Sequence, residues 1–403
     1  MRRLLVAEWR KLIGVHMLWG LLGLCMLANI ALVAVHAGSV APTIRSAGEV
    51  TRVIGTTVDD DARRRFSAWY ATRETDGEDA TEEHVLESLA FAVESVRDPF
   101  ADYDARAVAR RYAAASGDTL DGRETSHRGL TRLIYGKYDL VESQSVRLSD
   151  TKAGLSLYAG EDTPSIHGRL CVTIIGGVTW EAIIAAVLAM ALLLGMEHAT
   201  GAEPVVMASL AGRRRVLAAK LIVGLATGMA GFIVLMASAL VPYVMFTGAA
   251  GLWTTNVASG FNTMATELVE RQPFLTWTNL TVVQYLALSV ALSCAIMLSL
   301  ALLAGICSMC CRNSYAAVGL TAGLCLGVTA ALSICASNGW WIAYHLLSLN
   351  PMYVLDTRAR WFTDMGLKEL VPWQETIVMT LSVLYLAVAL AVAVRRASRR
   401  DLR

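Results

Sequence analysis

Apolar runs long enough to cross a bilayer recur along this chain, separated by polar stretches of very unequal length. A helix rises about 1.5 Å per residue and the hydrocarbon layer is about 30 Å thick, so a crossing takes about 20 residues. Six segments qualify, near residues 15–36, 171–195, 216–247, 280–308, 315–337 and 374–394. The third and fourth exceed what a straight crossing needs. Tilting, kinking or running past the bilayer is therefore expected, with Pro242 a candidate kink or end in the third.

The longest polar stretch, residues 37–170, has room for a small domain with its own core. Its pattern predicts helices over DDDARRRFSAWYATRE, TEEHVLESLAFAVESV and DARAVARRYAAAS; in the second, Val85, Leu86, Leu89, Ala92, Val93 and Val96 fall at helical spacing. From Tyr135 to Tyr158 the alternation is more strand-like and glycines punctuate it, so a small sheet is expected there. Before the first long run, Leu4, Leu5, Trp9 and Leu12 recur at near-helical spacing with charges between them. Two readings fit: a short helix lying in the membrane interface, with Arg10 and Lys11 reaching the phosphates, or an early start to the first span. The expected fold class is an all-α integral membrane protein with six transmembrane helices and a mainly helical extracellular domain inserted between the first and second.

Charge sets the orientation. Residues 37–170 hold 23 of the 34 acids but only 17 of the 35 bases, so the positive excess lies elsewhere. Arg2, Arg3, Arg10, Lys11, Arg213, Arg214, Arg215, Lys220, Arg312, Arg395, Arg396, Arg399, Arg400 and Arg403 all fall on one side of the six spans. The short loops opposite carry Arg271, Arg358, Arg360 and Lys368 against Glu267, Glu270, Asp356, Asp364, Glu369 and Glu375. By the positive-inside rule both termini are cytoplasmic, and residues 37–170 are outside the cell (plasma) membrane. A cleaved signal peptide ending near Val35-His36-Ala37 is the rival reading of the first residues. Its apolar stretch is longer than the usual ~7–15 residues.

Candidate chemistry is sparse. All eight cysteines, Cys25, Cys171, Cys294, Cys307, Cys310, Cys311, Cys325 and Cys335, lie in or beside the spans, so no disulfide framework is expected in the inserted domain. Cys307-x-x-Cys310-Cys311 has a metal-like spacing without a second ligand pair, and packing is the simpler reading. Glu83, His84 and Glu87 share neighbouring helical turns but lack further ligands, which favours a solvated charged face over a metal site. The chain contains no G-x-S-x-G elbow, H-E-x-x-H helix or G-x-x-x-x-G-K-[ST] phosphate loop. It is expected to lack an ATPase site, to bind no metal or other cofactor, and to have no nucleic-acid partner.

The stretch Gly195 to Leu221, GMEHATGAEPVVMASLAGRRRVLAAKL, carries the densest basic cluster away from the chain ends. It resembles the cytoplasmic loop of permease subunits of type-2 ATP-binding-cassette (ABC) exporters. There an acidic residue ends the second span, followed by a Gly-Thr-like turn, a short amphipathic helix, an Arg-rich turn and a lysine opening the third span. Glu197 matches the acid, Thr200, Gly201 and Glu203 the turn, and Val206 and Leu210 the short helix. Arg213 and Arg214 match the basic turn and Lys220 the lysine. The order Thr200-Gly201 is reversed and Pro204 is extra, while Leu349-Asn350-Pro351-Met352-Tyr353 matches the Asn-Pro or Ser-Pro step often found in the family's last outer loop. The resemblance covers the membrane part but not the inserted domain.

Together with the charge asymmetry it divides the chain into residues 1–36 as interfacial helix and first span, 37–170 as extracellular domain, and 171–403 as a five-span domain. The last would carry a coupling loop at 196–215 and an outer re-entrant segment at 339–373. Trp340, Trp341, Trp361 and Trp373 in that segment also fit an aromatic belt. The implied partners are a separate ABC ATPase subunit carrying ATP and Mg, a second permease copy or related permease, and the lipid bilayer. The implied function is export of a peptide, drug or lipid, driven by rigid-body movement of the loop when the ATPase subunits close, and the Arg- and Ala-rich composition suggests a bacterial source.

Polar residues inside the spans stand out, Glu181 above all, because an ionisable group facing lipid costs at least ~2.5 kcal/mol. Glu181 is expected on a translocation pathway or in an interhelical hydrogen bond, and Asn29 and Gln284, with His36, are weaker candidates of the same kind. Gly319, Gly323 and Gly327 recur every fourth residue, a groove for helix packing within one copy or between two. Two other functional classes stay open: a membrane sensor or resistance protein whose outer domain binds a ligand without transport, and a membrane enzyme. For the latter no nucleophile, base and orienter fall into a recognisable spacing.

Overall fold

A computed structural model describes residues 2–73, 80–118, 128–159, 165–199, 201, 213–248, 252–258, 273–311 and 313–399. A short amphipathic helix, α1 (Arg2–Ile13), ends at Gly14-Val15, and a separate helix, α2 (His16–Ile54), follows. Leu12 and Leu18 on either side of that break pack with Ala189, Leu193 and Val223, with Leu5 and Trp9 against them. The apolar stripe thus belongs to its own helix, which excludes the reading in which the first span simply starts early.

At 39 residues α2 is about 58 Å long, nearly twice the hydrocarbon thickness. It does not stop at residue 36 as expected. Its buried positions continue as Ala37, Ala41, Ile44, Ala47, Val50 and Ile54, so the face that starts among spans ends among the helices of the inserted domain.

That domain is built from α3 (Asp60–Arg73), α4 (Ala80–Ser95), α5 (Ala105–Ala113) and α6 (Arg128–Asp150). The first three match the sequence expectation. The strand-like reading of Tyr135 to Tyr158 is overturned by α6, whose buried Leu130, Ile134, Tyr138, Val141, Ser145 and Leu148 repeat every three or four residues. Gly136, read as punctuation, lies in a helix interior where a Cβ would meet nothing within 4 Å. It weakens the helix by about 1 kcal/mol relative to alanine without breaking it. The helix ends with Lys152 at φ 55° and Ala153 N–H donating to the Leu148 carbonyl at 2.8 Å, a left-handed C-cap. Strand pairing among the described residues is limited to two isolated bridges, Asn256 with Thr281 and Thr276 with Thr363.

The chain returns through α7 (Ser165–Arg169) and a wider turn (Leu170–Ile174) into α8 (Ile175–Ala199). It continues through α9 (Arg213–Thr247), α10 (Val282–Cys310), α11 (Ser314–Ser337) and α14 (Gln374–Arg399). Pro242 lies inside α9 and does not end it. Between α11 and α14 the region read as re-entrant forms two short helices, α12 (Trp341–Leu347) and α13 (Pro351–Asp356). The Asn350-Pro351 step is a helix start: Asn350 Oδ1 accepts from Met352 N at 2.8 Å, with proline in the first turn. Among these tryptophans Trp340 is exposed while Trp341 and Trp361 are buried, so the segment is packed structure and not only a belt.

Six helices among the described residues are long and apolar enough to cross a membrane, as the sequence predicts. In the membrane core α8 packs against α9 and α10, α2 against α9, and α14 against α10. One hydrophobic core runs without interruption from Leu300 and Met297 through Tyr285, Phe274 and Trp361 to Tyr138, Tyr112 and Phe66 in the inserted domain.

Candidate functional site

Three polar sites interrupt this apolar framework. The first lies where α1 meets α8 and α9. Lys220 is 1% exposed; its ammonium donates to the Leu193 carbonyl of α8 at 2.5 Å and stands 3.4 Å from Glu8 Oε2 of α1. Glu8, itself buried, pairs through Oε1 with Lys11 at 2.7 Å. A buried charge is tolerated only when paired and hydrogen-bonded, so this triad ties three helices at one point. The sequence placed Lys220 at the opening of the third span and counted it among the coupling residues; in the structure it lies in α9, and its side chain faces inward to join the helices flanking the loop. Glu8 was missed. Its signal was an acid on the same helical face as Leu5 and Leu12, three and four residues away.

The remaining loop residues divide. Glu197 falls in the last turn of α8 and Arg213 opens α9. Arg214 is exposed in the first turn of α9, and Gly201 takes φ 67°, a left-handed turn conformation that suits glycine. Thr200, Glu203, Val206 and Leu210 lie outside the described residues. At the same end Gly195 sits so close to Ser314 that a Cβ would stand 3.0 Å from the Ser314 backbone nitrogen, bringing α8 against the start of α11.

The second site is inside the membrane core. Asn29 Nδ2 of α2 donates to Glu181 Oε2 of α8 at 2.7 Å and lies 3.5 Å from Ser238 Oγ of α9. The structure thus brings two of the four span candidates, Asn29 and Glu181, together as an interhelical contact, one of the two roles expected for Glu181. Gln284 takes no part: it forms a capping box with Thr281, accepting from Thr281 N at 3.0 Å. His36 stacks on Tyr243, with ring centroids 6.3 Å apart. Gly319, Gly323 and Gly327 have nothing within 4 Å of a built Cβ, so the described helices leave that stripe open.

The third site joins the inserted domain to the segment before α14. Lys137 of α6, buried, donates to Asp364 Oδ1 at 2.6 Å and to the carbonyls of Gly366 and Glu369 at 2.7 and 3.1 Å. Three acceptors saturate an ammonium. Tyr138 OH donates to Asp364 Oδ2 at 3.0 Å, and Gly366, at φ 64°, lies so close to Tyr112 that a Cβ would stand 2.5 Å from its hydroxyl. Glu369 is fully buried and accepts from Met365 N at 3.2 Å; burial, then the nearby Glu375 carboxylate, holds its pKa well above the ordinary value. Glu375 accepts from Phe362 N at 3.0 Å. His345 is pushed down to about 4 by burial and by the Lys137 charge. The sequence treated these acids only as outer-loop charges. Lys137 was legible once α6 is taken as a helix, because it shares a face with Ile134 and Val141 and so needs a buried partner.

The charged triplet Glu83, His84, Glu87 is solvent-facing, with His84 Nδ1 3.9 Å from Glu87 Oε2. Cys307 is buried and Cys310 exposed, so their thiols face different surroundings. Among the described residues no group of three or more His, Cys, Asp or Glu is arranged to hold a metal. The six apolar helices fit the class of multi-pass helical membrane proteins. Compared with protein families, with curated proteins and with solved structures, the chain finds no match.

Proposed function

We propose that this chain is the permease subunit of an ABC exporter, coupling ATP hydrolysis on a separate nucleotide-binding subunit to export of a peptide, drug or lipid. The reading rests on the resemblance of residues 195–221 to the family's coupling loop and on the charge asymmetry across the spans. One structural observation supports it most: the helices entering and leaving the loop, α8 and α9, are joined with α1 through Leu193, Lys220 and Glu8. A push on the loop would then move three helices together and would reach Asn29, Glu181 and Ser238 through α8 and α9. In this reading residues 37–170 are extracellular, both termini are cytoplasmic, the chain carries no ATPase site, and a second permease completes the pathway. The open glycine stripe of α11 is a candidate surface for that second copy.

The test uses the tagged chain purified from its native membranes with any bound ATPase subunit and reconstituted in vesicles. Glu197→Ala is expected to abolish substrate-stimulated ATP hydrolysis while the ATPase subunit still copurifies. Unchanged stimulation with unaltered binding would count against the coupling role, and absence of any ATPase subunit would sink the proposal. A ligand sensor without transport is the second reading. It is favoured by the contact of α6 with the segment that leads into α14, which gives ligand binding on the domain a route to a span. Ligand-induced change without ATP turnover would support it.

A further inference from the structure

Helix α6 buries one face in the core and leaves another open. Leu133, Gly136 and Leu140, at positions i, i+3 and i+7, line a groove of about 300 Å³ closed on its far side by Val371 and Pro372. Leu133 and Leu140 are each about half exposed, at 49% and 52%, and Val371 is exposed too. Singly exposed leucines are ordinary on a protein surface, and what sets these apart is that they share one groove with Val371 and Pro372.

Two observations identify the occupant. The groove lies at the head of a candidate membrane span: Pro372 in its wall stands two residues before α14 begins, and Ile377, Leu381, Leu384 and Val388 are exposed along one face of that helix. That spacing of four, three and four residues is a single apolar helical stripe, and the groove wall is the segment that leads into this helix. The charges that line the groove among the described residues are of one sign. Arg132 is exposed at its edge, Lys137 lies at its base committed to Asp364, and among the described residues no acid lines it. An apolar slot opening at the membrane boundary beside an arginine matches an acyl chain below a phosphate.

We propose that the groove is a binding site for an anionic phospholipid of the leaflet at which α14 begins, with one acyl chain between α6 and Val371-Pro372 and the phosphate on Arg132. The bound lipid would hold the inserted domain on the membrane surface at a point separate from the Lys137 contact. This inference does not depend on the transport reading.

The experiment places the full-length protein in phosphatidylcholine vesicles containing a phosphatidylglycerol with a photoactivatable diazirine in its acyl chain, and maps the labelled peptides after illumination. Label is expected on residues 129–140 as well as on the exposed stripe of α14. Gly136→Leu, which puts a side chain into open groove space, should lose label at 129–140 and keep it on α14, the internal control for folding and insertion. Arg132→Gln should lose labelling by the phosphatidylglycerol probe but not by a diacylglycerol probe that lacks phosphate. An unlabelled 129–140 segment beside a labelled α14 would overturn the proposal, as would labelling indifferent to Gly136→Leu. Equal phosphatidylglycerol labelling of Arg132→Gln would overturn the phosphate contact. Cross-links between two copies through residues 129–140 would assign the groove to a dimer and would also overturn it.

Discussion

Two buried lysines hold this molecule together where apolar packing alone would leave helices free to slide. Lys220 bridges α1, α8 and α9, and Lys137 bridges α6 to the segment before α14. Removing one member of a buried ion pair strands the other, at a cost of about 3–5 kcal/mol. Lys220→Met leaves the buried Glu8 carboxylate to Lys11 alone and should lower the thermal midpoint in detergent, and adding Glu8→Gln should recover part of the loss, because the half-compensated carboxylate is then gone. A single variant as stable as the parent would remove the triad from the account. Glu369 yields a second expectation. Its folded pKa is raised above the ordinary 4.5, so its contribution is complete below that pH and is lost as pH rises toward the folded value. Glu375, Lys137 and Asp364 act on it, and burial dominates all three. His345 has the opposite sign: held near 4 against an ordinary 6.5, it loses its contribution as pH falls through that window. Midpoints measured across pH should thus decline on both sides, and Glu369→Gln should flatten the alkaline side alone. An unchanged alkaline slope in that variant would exclude Glu369 as its source.

At the scale of elements, the spans were legible because bilayer thickness imposes a length and apolarity that few other structures require. The helices around Phe66, Leu89 and Val108 were legible for a related reason, since a half-buried helix shows its period. The end of α2 was not. Beyond residue 36 the chain becomes polar and the hydropathy signal stops, but Ala41, Ile44, Ala47 and Val50 keep a buried face. The environment changes there from spans to domain helices while the backbone stays helical. α6 was misread because Gly136 and short-range alternation outweighed the longer period of Ile134, Tyr138 and Val141. The polar partners of Lys137 and Lys220 were illegible for a different reason, since they lie 227 residues away at Asp364 and 27 away at Leu193, and pairing at such distances leaves no periodic trace. Gly38 gives a direct check on α2. It lies in the helix just past the expected span end, with open space where a Cβ would be. Gly38→Ala should stabilise the protein by about 0.5–1 kcal/mol, read as a higher thermal midpoint. A destabilised variant would mean that the backbone at residue 38 is not helical.

The whole molecule is a single packed body more than a membrane bundle with an appended domain. The core that begins among the spans continues through Phe274, Tyr285 and Trp361 into Tyr112, Tyr138 and Phe66. Backbone bonds reinforce it, with Trp277 N donating to Phe362 O at 3.1 Å and Asp364 N to Leu275 O at 2.9 Å. Gln144 Nε2 of α6 donates to the Thr276 carbonyl of the same loop pair at 3.1 Å. Because each part contributes surface that the other buries, neither part can open without exposing apolar area on both. Unfolding should then be cooperative across the boundary, with helix loss and the change in tryptophan fluorescence following one curve. Lys137→Met tests the coupling, because it strands Asp364, itself buried, at the centre of the junction. If the body is one unit, the variant lowers the common transition and the two probes still coincide. An early transition confined to part of the helical signal, with the membrane portion unchanged, would show an inserted domain that stands on its own and would limit the Lys137 contact to a local clasp.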